Sequence, residues 1–209
     1  HNGRHSFPTR RSSDLEATGD CKPGAIVELR HFEDRKGRQR VALAVRSDMD
    51  LAGQITAPGA TWLDRRNLSG DGRDLGGGFG AEVRDAMEAR AEHLADEGLA
   101  RRRGQRIIFA RNMLDTLRRR ELDAAAAKLS AKIGLPHTPS QTGDYVMGTV
   151  RQRVTLASGR FAMIDNALGF QLVPWSPSLD RQMGKHISGV MRGDGGVDWS
   201  FGRGRGLGM

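Results

Sequence analysis

Residues 146–156 alternate with a period of two. Val146, Gly148, Val150, Val154 and Leu156 fall on one face, and Met147, Thr149, Arg151, Arg153 and Thr155 on the other. That period belongs to an extended strand, whose successive side chains leave on opposite sides. A strand this long needs partners, and the following sequence supplies candidates between turn residues. Ala157-Ser158-Gly159 leads into 161–164, and residues 166–169 lead into 170–173, which Pro174 ends. Residues 178–183 read as a short helix. Two more strands, 187–191 and 197–201, flank Gly193-Asp194-Gly195-Gly196, and Val197, Trp199 and Phe201 share a face. Five short strands with one helical insert predict a small barrel over 143–209, because closure removes exposed edges.

The preceding stretch carries the other period. Phe79, Val83, Ala86, Met87, Ala91, Leu94 and Ala95 recur at three- and four-residue spacing, and Glu82, Asp85, Glu88 and Glu92 sit mainly off that stripe. Gly98 suits the left-handed position after a helix. Residues 99–109 then place a basic turn around Gly104 between two short extended pieces, which reads as a wing. Asn112 is positioned to cap the next helix, with Asp115 three residues on. Leu114, Leu117, Leu122, Ala125, Ala126, Leu129 and Ile133 form its apolar face, and Gly134-Leu135-Pro136 ends it. Nearer the N-terminus, 25–30 and 41–45 read as a β hairpin about Asp34-Arg35-Lys36-Gly37. Residues 48–63 give only a weak signal of loop and short helix.

The expected fold class is therefore α+β: an N-terminal β hairpin, a winged-helix-like helical unit and a C-terminal small β barrel of about five strands. The expected segments are an arm at 1–23, a β-rich region at 24–66, a Gly/Asp-rich linker at 67–78, the helical unit at 79–135 and the barrel at 143–209. Residues 5–15, His-Ser-Phe-Pro-Thr-Arg-Arg-Ser-Ser-Asp-Leu, look like an in-frame translation of a common sequencing-library adapter. That predicts a disordered, functionless N-terminus on a gene truncated upstream; a natural phosphate-touching arm is the alternative.

Composition narrows the function classes. No run of 18 apolar residues exists, which predicts no membrane insertion, and no secretory leader pattern opens the chain. Cys21 is the only cysteine, so no intrachain disulfide is possible, which fits a cytoplasmic location. Lys and Arg number 33 against 25 Asp and Glu, a net +8 that favours a polyanionic partner. No catalytic residue is assigned. Tyr145 is the only tyrosine and opens a strand, where its ring is expected to be structural. The histidines, His1, His5, His31, His93, His137 and His186, show neither His-x-His nor an i, i+4 spacing, so no metal site is expected. Gly76-Gly77-Gly78-Phe79-Gly80 lacks the Lys-Ser/Thr of a phosphate loop and reads as a linker. Gly202-x-Gly204-x-Gly206-x-Gly208 has the wrong spacing for a dinucleotide fingerprint.

The strongest binding signal is basic. Arg101, Arg102, Arg103, Arg106, Arg111, Arg118, Arg119 and Arg120 lie between Gly98 and Glu121, against only Asp115 and Glu121. Arginine forks suit phosphate oxygens, so a basic wing and helix predict contact with a DNA backbone without reading of bases. The competing reading is a solvated charged face in which Glu121 pairs with Arg118 or Arg120. Few exposed aromatics are expected, which leaves base stacking little support.

Several stretches resemble the C-terminal region of VirD-type conjugative relaxases, the relaxase/mobilisation nucleases of type IV secretion. They include Ile26-Val27-Glu28-Leu29-Arg30, Gly59-Ala60-Thr61-Trp62-Leu63-Asp64-Arg65 and Gly78-Phe79-Gly80. Further on are Leu114-Asp115-Thr116-Leu117-Arg118-Arg119-Arg120-Glu121-Leu122, Leu156-Ala157-Ser158-Gly159-Arg160-Phe161-Ala162-Met163, Leu172-Val173-Pro174-Trp175 and Asp194-Gly195-Gly196-Val197-Asp198-Trp199. The resemblance covers roughly residues 24–209, a region usually described as a domain of unknown function. It implies a parent protein that nicks one strand at a transfer origin and leads it through a secretion channel. The family's nucleophilic tyrosine and metal-binding histidines match no position here. The expectation is thus a non-catalytic, truncated portion with no cofactor, the divalent metal belonging to a missing nicking domain. Transfer-origin DNA is the expected partner. The alternative is an interaction or secretion-signal module recognised by the type IV coupling protein, to which Arg203 and Arg205 would contribute, in a parent exported to a recipient cell.

Overall fold

A computed structural model of the chain describes residues 15–18, 21–70 and 76–201. It divides into two compact units between Asp50 and Leu51. The first unit is a three-stranded sheet of β1 (Leu15–Thr18), β2 (Ile26–Glu33) and β3 (Gln39–Ser47) in the order β1-β3-β2. The expected hairpin is β2 with β3. Its turn is held by Asp34, whose carboxylate accepts from Lys36 N at 2.9 Å and Arg38 N at 3.0 Å, and by Gly37 at φ 74°. β1 runs parallel to β3, so four residues of the expected 1–23 arm are paired; the adapter-like residues 5–14 lie outside the described ones.

The second unit opens with α1 (Leu51–Ile55), α2 (Trp62–Ser69) and α3 (Phe79–Asp96). Leu51, Ile55, Trp62 and Leu63 pack on Val83, Ala86 and Met87 of α3. α1 and α2 thus pack with α3 inside the second unit. The weak signal over 48–63 concealed a capping box, in which Asp64 N donates to Thr61 Oγ1 and Thr61 N donates to the Asp64 carboxylate. Of the apolar stripe of α3, Val83, Ala86, Met87, Ala91 and Leu94 are buried, Ala95 is half-buried, and Phe79 is exposed at the first turn. Gly98, at φ 75°, closes the helix.

β4 (Ala100–Arg103) and β5 (Arg106–Phe109) form the expected hairpin about Gly104, at φ 61°. α4 (Met113–Ile133) follows and ends at the left-handed Gly134. Asn112 occupies its N-cap position but makes no side-chain cap, contrary to the sequence expectation, because its backbone sits at φ −109°, ψ 27° rather than in the extended region a cap requires.

All five C-terminal strands form where the sequence places them: β6 (Tyr145–Leu156), β7 (Gly159–Asp165), β8 (Phe170–Pro174), β9 (His186–Met191) and β10 (Val197–Ser200). The helical insert is a 3-10 turn at Pro177–Gln182. The sheet order is β10-β9-β6-β7-β8, antiparallel throughout. It is not a closed barrel. The outer edge of β8 is taken by the segment after α4, where Thr138 N donates to Phe170 O at 2.9 Å and Phe170 N to Pro136 O at 3.0 Å. With that edge occupied, the four-residue β10 is not needed to protect it.

A bulge in β6 corrects the single-face reading of the alternation. The register against β7 shifts between Val150 and Gln152, and one extra residue flips every later side chain to the other side. Val146 and Val150 enter a core with Ala162, Ile164, Val173, Leu179 and Ile187, whereas Val154 packs against a second one of Met163, Phe170, Leu172 and Ala126 of α4. Each fully buried Val, Leu, Ile or Phe side chain here contributes roughly 1.5–3 kcal/mol.

Candidate nucleic-acid interface

Pairing across the β4–β5 hairpin sorts its arginines. Arg101 lies opposite Ile108, Arg102 opposite Ile107, and Arg103 opposite Arg106. Directly opposed residues share a face, so Arg101, Arg103, Arg106 and Ile108 form one face and Arg102, Ile107 and Phe109 the other. The first set is exposed. The second borders a cleft with Met87, Glu88 and Ala91 of α3. There Arg102 is neutralised: its Nη2 donates to Glu92 Oε1 at 3.2 Å and lies 4.0 Å from Glu88 Oε1. Arg101, Arg103 and Arg106 have no ion-pair partner among the described residues.

The other four arginines of the sequence patch do not act alike. Arg111, Arg119 and Arg120 are exposed, without ion-pair partners among the described residues. Arg118 is half-buried, with its guanidinium carbon 5.4 Å from the centre of the Phe161 ring. Burial, then the nearby positive charge of Arg65, push its pKa below the ordinary arginine value, while Asp115 opposes them. Arg118 and Arg119 line a cleft between α4 and residues 137–141.

Glu121 pairs with neither Arg118 nor Arg120. It is buried and accepts from Ala157 N at 2.8 Å and Ser158 N at 2.9 Å, and from the Ser158 hydroxyl. Ser158 Oγ in turn accepts from Ala60 N at 3.0 Å. Next to it lies a second buried group that sequence reading missed. Arg90, wholly buried in α3, donates Nε and Nη2 to the two oxygens of Asp64 at 2.8 and 2.9 Å. Its remaining donors reach Ile55 O at 3.1 Å, Ala57 O at 2.7 Å and Gly59 O at 2.9 Å. Every N–H of the guanidinium is satisfied, as a buried charge requires. Gly59 is obligatory in this packing, since a methyl there would sit 1.9 Å from Glu121 Oε2. Three separate stretches of sequence, around Gly59, Glu121 and Ser158, thus meet at one polar hub. The hub fixes α3, and hence the wing that follows it, relative to α4 and the β6–β7 turn.

Two clues to the hub were present in the sequence: the Thr61-x-x-Asp64 pattern of a capping box, and Arg90 and Glu121 lying on the apolar stripes of their helices. Tyr145 does open β6, and the residue is 75% exposed; Phe79 is 55% exposed, so exposed aromatics are more numerous than expected. His1, His5, Arg203, Arg205 and the glycine series 202–208 lie outside the described residues. Among the described residues, no three His, Cys, Asp or Glu side chains are grouped to hold a metal ion, and no helix is long and apolar enough to cross a membrane.

Residues 25–208 match a protein-family model described as Protein of unknown function (DUF3363). No curated protein and no solved structure matches the chain.

Proposed function

The chain belongs to the DUF3363 family, and from that premise we propose that it binds the backbone of DNA through the outer face of the β4–β5 hairpin, as a non-nicking portion of a conjugative relaxase. The observation that carries the DNA reading is the set Arg101, Arg103 and Arg106 on one exposed strand face, with no carboxylate against them among the described residues. Three helices followed by a two-stranded hairpin have the order of a winged helix, in which α3 would be the groove-entering helix. Its exposed side carries Glu82, Asp85, Glu88 and Glu92, however, which phosphates repel. Contact therefore falls to the wing and to Arg111 at its base, and the binding is of phosphates rather than base edges. The relaxase assignment rests on the resemblance of the stretches named in the sequence, and no catalytic residue is placed in this chain.

Fluorescence anisotropy with duplex and single-stranded DNA, from about 50 to 200 mM salt, tests the reading. Affinity is expected to fall steeply with salt for any sequence. Arg101→Gln/Arg103→Gln/Arg106→Gln is expected to reduce the log–log slope by about one for each phosphate that is no longer neutralised. No binding of either DNA at the lowest salt would overturn the proposal and favour an interaction module for the secretion machinery. Cleavage of origin-bearing DNA by this chain with Mg²⁺ would overturn its non-nicking part.

A further inference from the structure

The cleft beside α4 has the makings of a ligand site distinct from the wing. Asp115, Arg118, Arg119, Leu122 and Asp123 lie at i, i+3, i+4, i+7 and i+8, one face of the helix. Opposite stand residues 137–141, and Leu172 contributes from β8. The cleft is half open to solvent and has a volume of about 370 Å³, within the range of small-molecule pockets. Its far wall is pinned: Thr138 N donates to Phe170 O at 2.9 Å, and Gln141 N donates to Asp144 Oδ2 at 2.7 Å. Ser140 Oγ accepts from Gln171 Nε2 at 3.1 Å, which leaves its own hydroxyl proton to donate. His137 stands on the same wall, its ring 5.2 Å from that of Phe170. Leu122, Pro139 and Leu172 make an apolar lining.

Arg118 is the anomaly in this cleft. It is half-buried, stands near the like charge of Arg65, and has no hydrogen-bond acceptor or ion-pair partner among the described residues. A guanidinium does not shed its proton in a protein, so the charge persists; the Phe161 ring and Asp115 offset part of its desolvation, but its N–H donors have no acceptor among the described residues. Arg102 and Arg90, by contrast, are both matched by carboxylates. An anionic head group seated at Arg118 would supply the missing acceptors. Asp115 and Asp123 on the same helix face disfavour a polyanion such as a nucleic-acid strand, and the apolar lining favours a hydrocarbon body.

We propose that the cleft between α4 and residues 137–141 binds a small organic anion, an oxyanion head on an apolar body, with Arg118 as its charge partner. Arg118 and Arg119 then leave the DNA-contacting set, and this site stands whether or not the wing binds DNA.

Benzoate and phenyl phosphate are suitable probes, with benzamide as the neutral isostere. They are titrated into the full chain while the methyl signals of Leu122 and Leu172 are followed by NMR. Saturable shifts at both residues are expected by about 10 mM, ten times a millimolar Kd, with benzamide at least tenfold weaker. Arg118→Gln is expected to weaken benzoate about tenfold or more, while the Arg101→Gln/Arg103→Gln/Arg106→Gln chain binds it unchanged. Absent shifts, equal binding of benzamide, or full affinity in Arg118→Gln would each overturn the proposal. If Arg118→Gln does not fold, Arg118→Lys, which keeps the charge but loses the fork, takes its place. Severalfold weaker binding in that variant supports the site, and unchanged affinity overturns it.

Discussion

At the scale of single residues, the unit's organisation depends on charges that are buried and fully matched. Arg90 holds one carboxylate and three backbone carbonyls, all within 3.1 Å. Replacing it by Met leaves Asp64 buried without its countercharge, a loss of about 3–5 kcal/mol. Lys should rescue little, because a single ammonium cannot reach acceptors arranged around a planar fork. Chemical denaturation of Arg90→Met and Arg90→Lys checks both expectations. His137 gives a pH-dependent prediction. Burial lowers its pKa in the fold, with Asp123 opposing, so the folded state releases its proton more readily than the unfolded one. Between the folded and unfolded values the unfolded chain binds more protons, and stability therefore falls as pH drops below about 6.5, the unfolded value. The flanking Asp115, Asp123, Arg118 and Arg119 remain in His137→Gln, so the comparison isolates the imidazole. The variant should show a shallower decline in melting temperature between neutral and mildly acidic pH than the native chain.

At the scale of elements, most of the chain was legible because its two periods are clean. Alternation placed β6, glycine-rich turns placed the later strands, and the three-four stripe placed α3. What escaped was set by distant partners. The β6 bulge leaves no mark in the alternation itself, since Val150 and Val154 are both apolar and only their separate cores distinguish them. Arg90 and Asp64 lie 26 residues apart, and arginine on an apolar stripe reads by default as a snorkelling surface residue. The wing's arginines were readable as a cluster, but their division into an outward three and an inward Arg102 needed the strand register. The open sheet was likewise hidden, because the residues that cover β8 come from the loop after α4. That covering depends on Gly169, where a methyl would lie 2.7 Å from Pro136 O. Gly169→Ala is expected to cost about 1–3 kcal/mol by forcing the two backbones apart. It should also accelerate amide exchange at Phe170 and Thr138 more than at Ile164 in the sheet interior, a pattern that a uniform loss of stability would not give.

At the scale of the whole molecule, a net charge of +8 is a weaker argument for DNA than it first looks, since many of the cations are already engaged. Arg38 pairs with Asp34, Arg46 with Glu28 and Arg192 with Asp194. Opposite-sign charges on α3 further offset the field near the wing. What should matter to a phosphate chain is the cation that has no carboxylate beside it, because only that one exchanges counterions freely. Two triple variants separate placement from total charge. Arg101→Gln/Arg103→Gln/Arg106→Gln and Arg38→Gln/Arg46→Gln/Arg192→Gln each lower the net charge by three. If overall charge governed binding, the two would lose affinity alike. The unpaired wing predicts instead that the first loses roughly tenfold or more near 100 mM salt, with a flatter salt slope. The second should change affinity by less than about threefold, since each cation it removes is already neutralised by a carboxylate and has little counterion to release. Equal losses in a side-by-side titration would show that the chain meets DNA as a diffuse basic particle, with no dedicated surface at the hairpin.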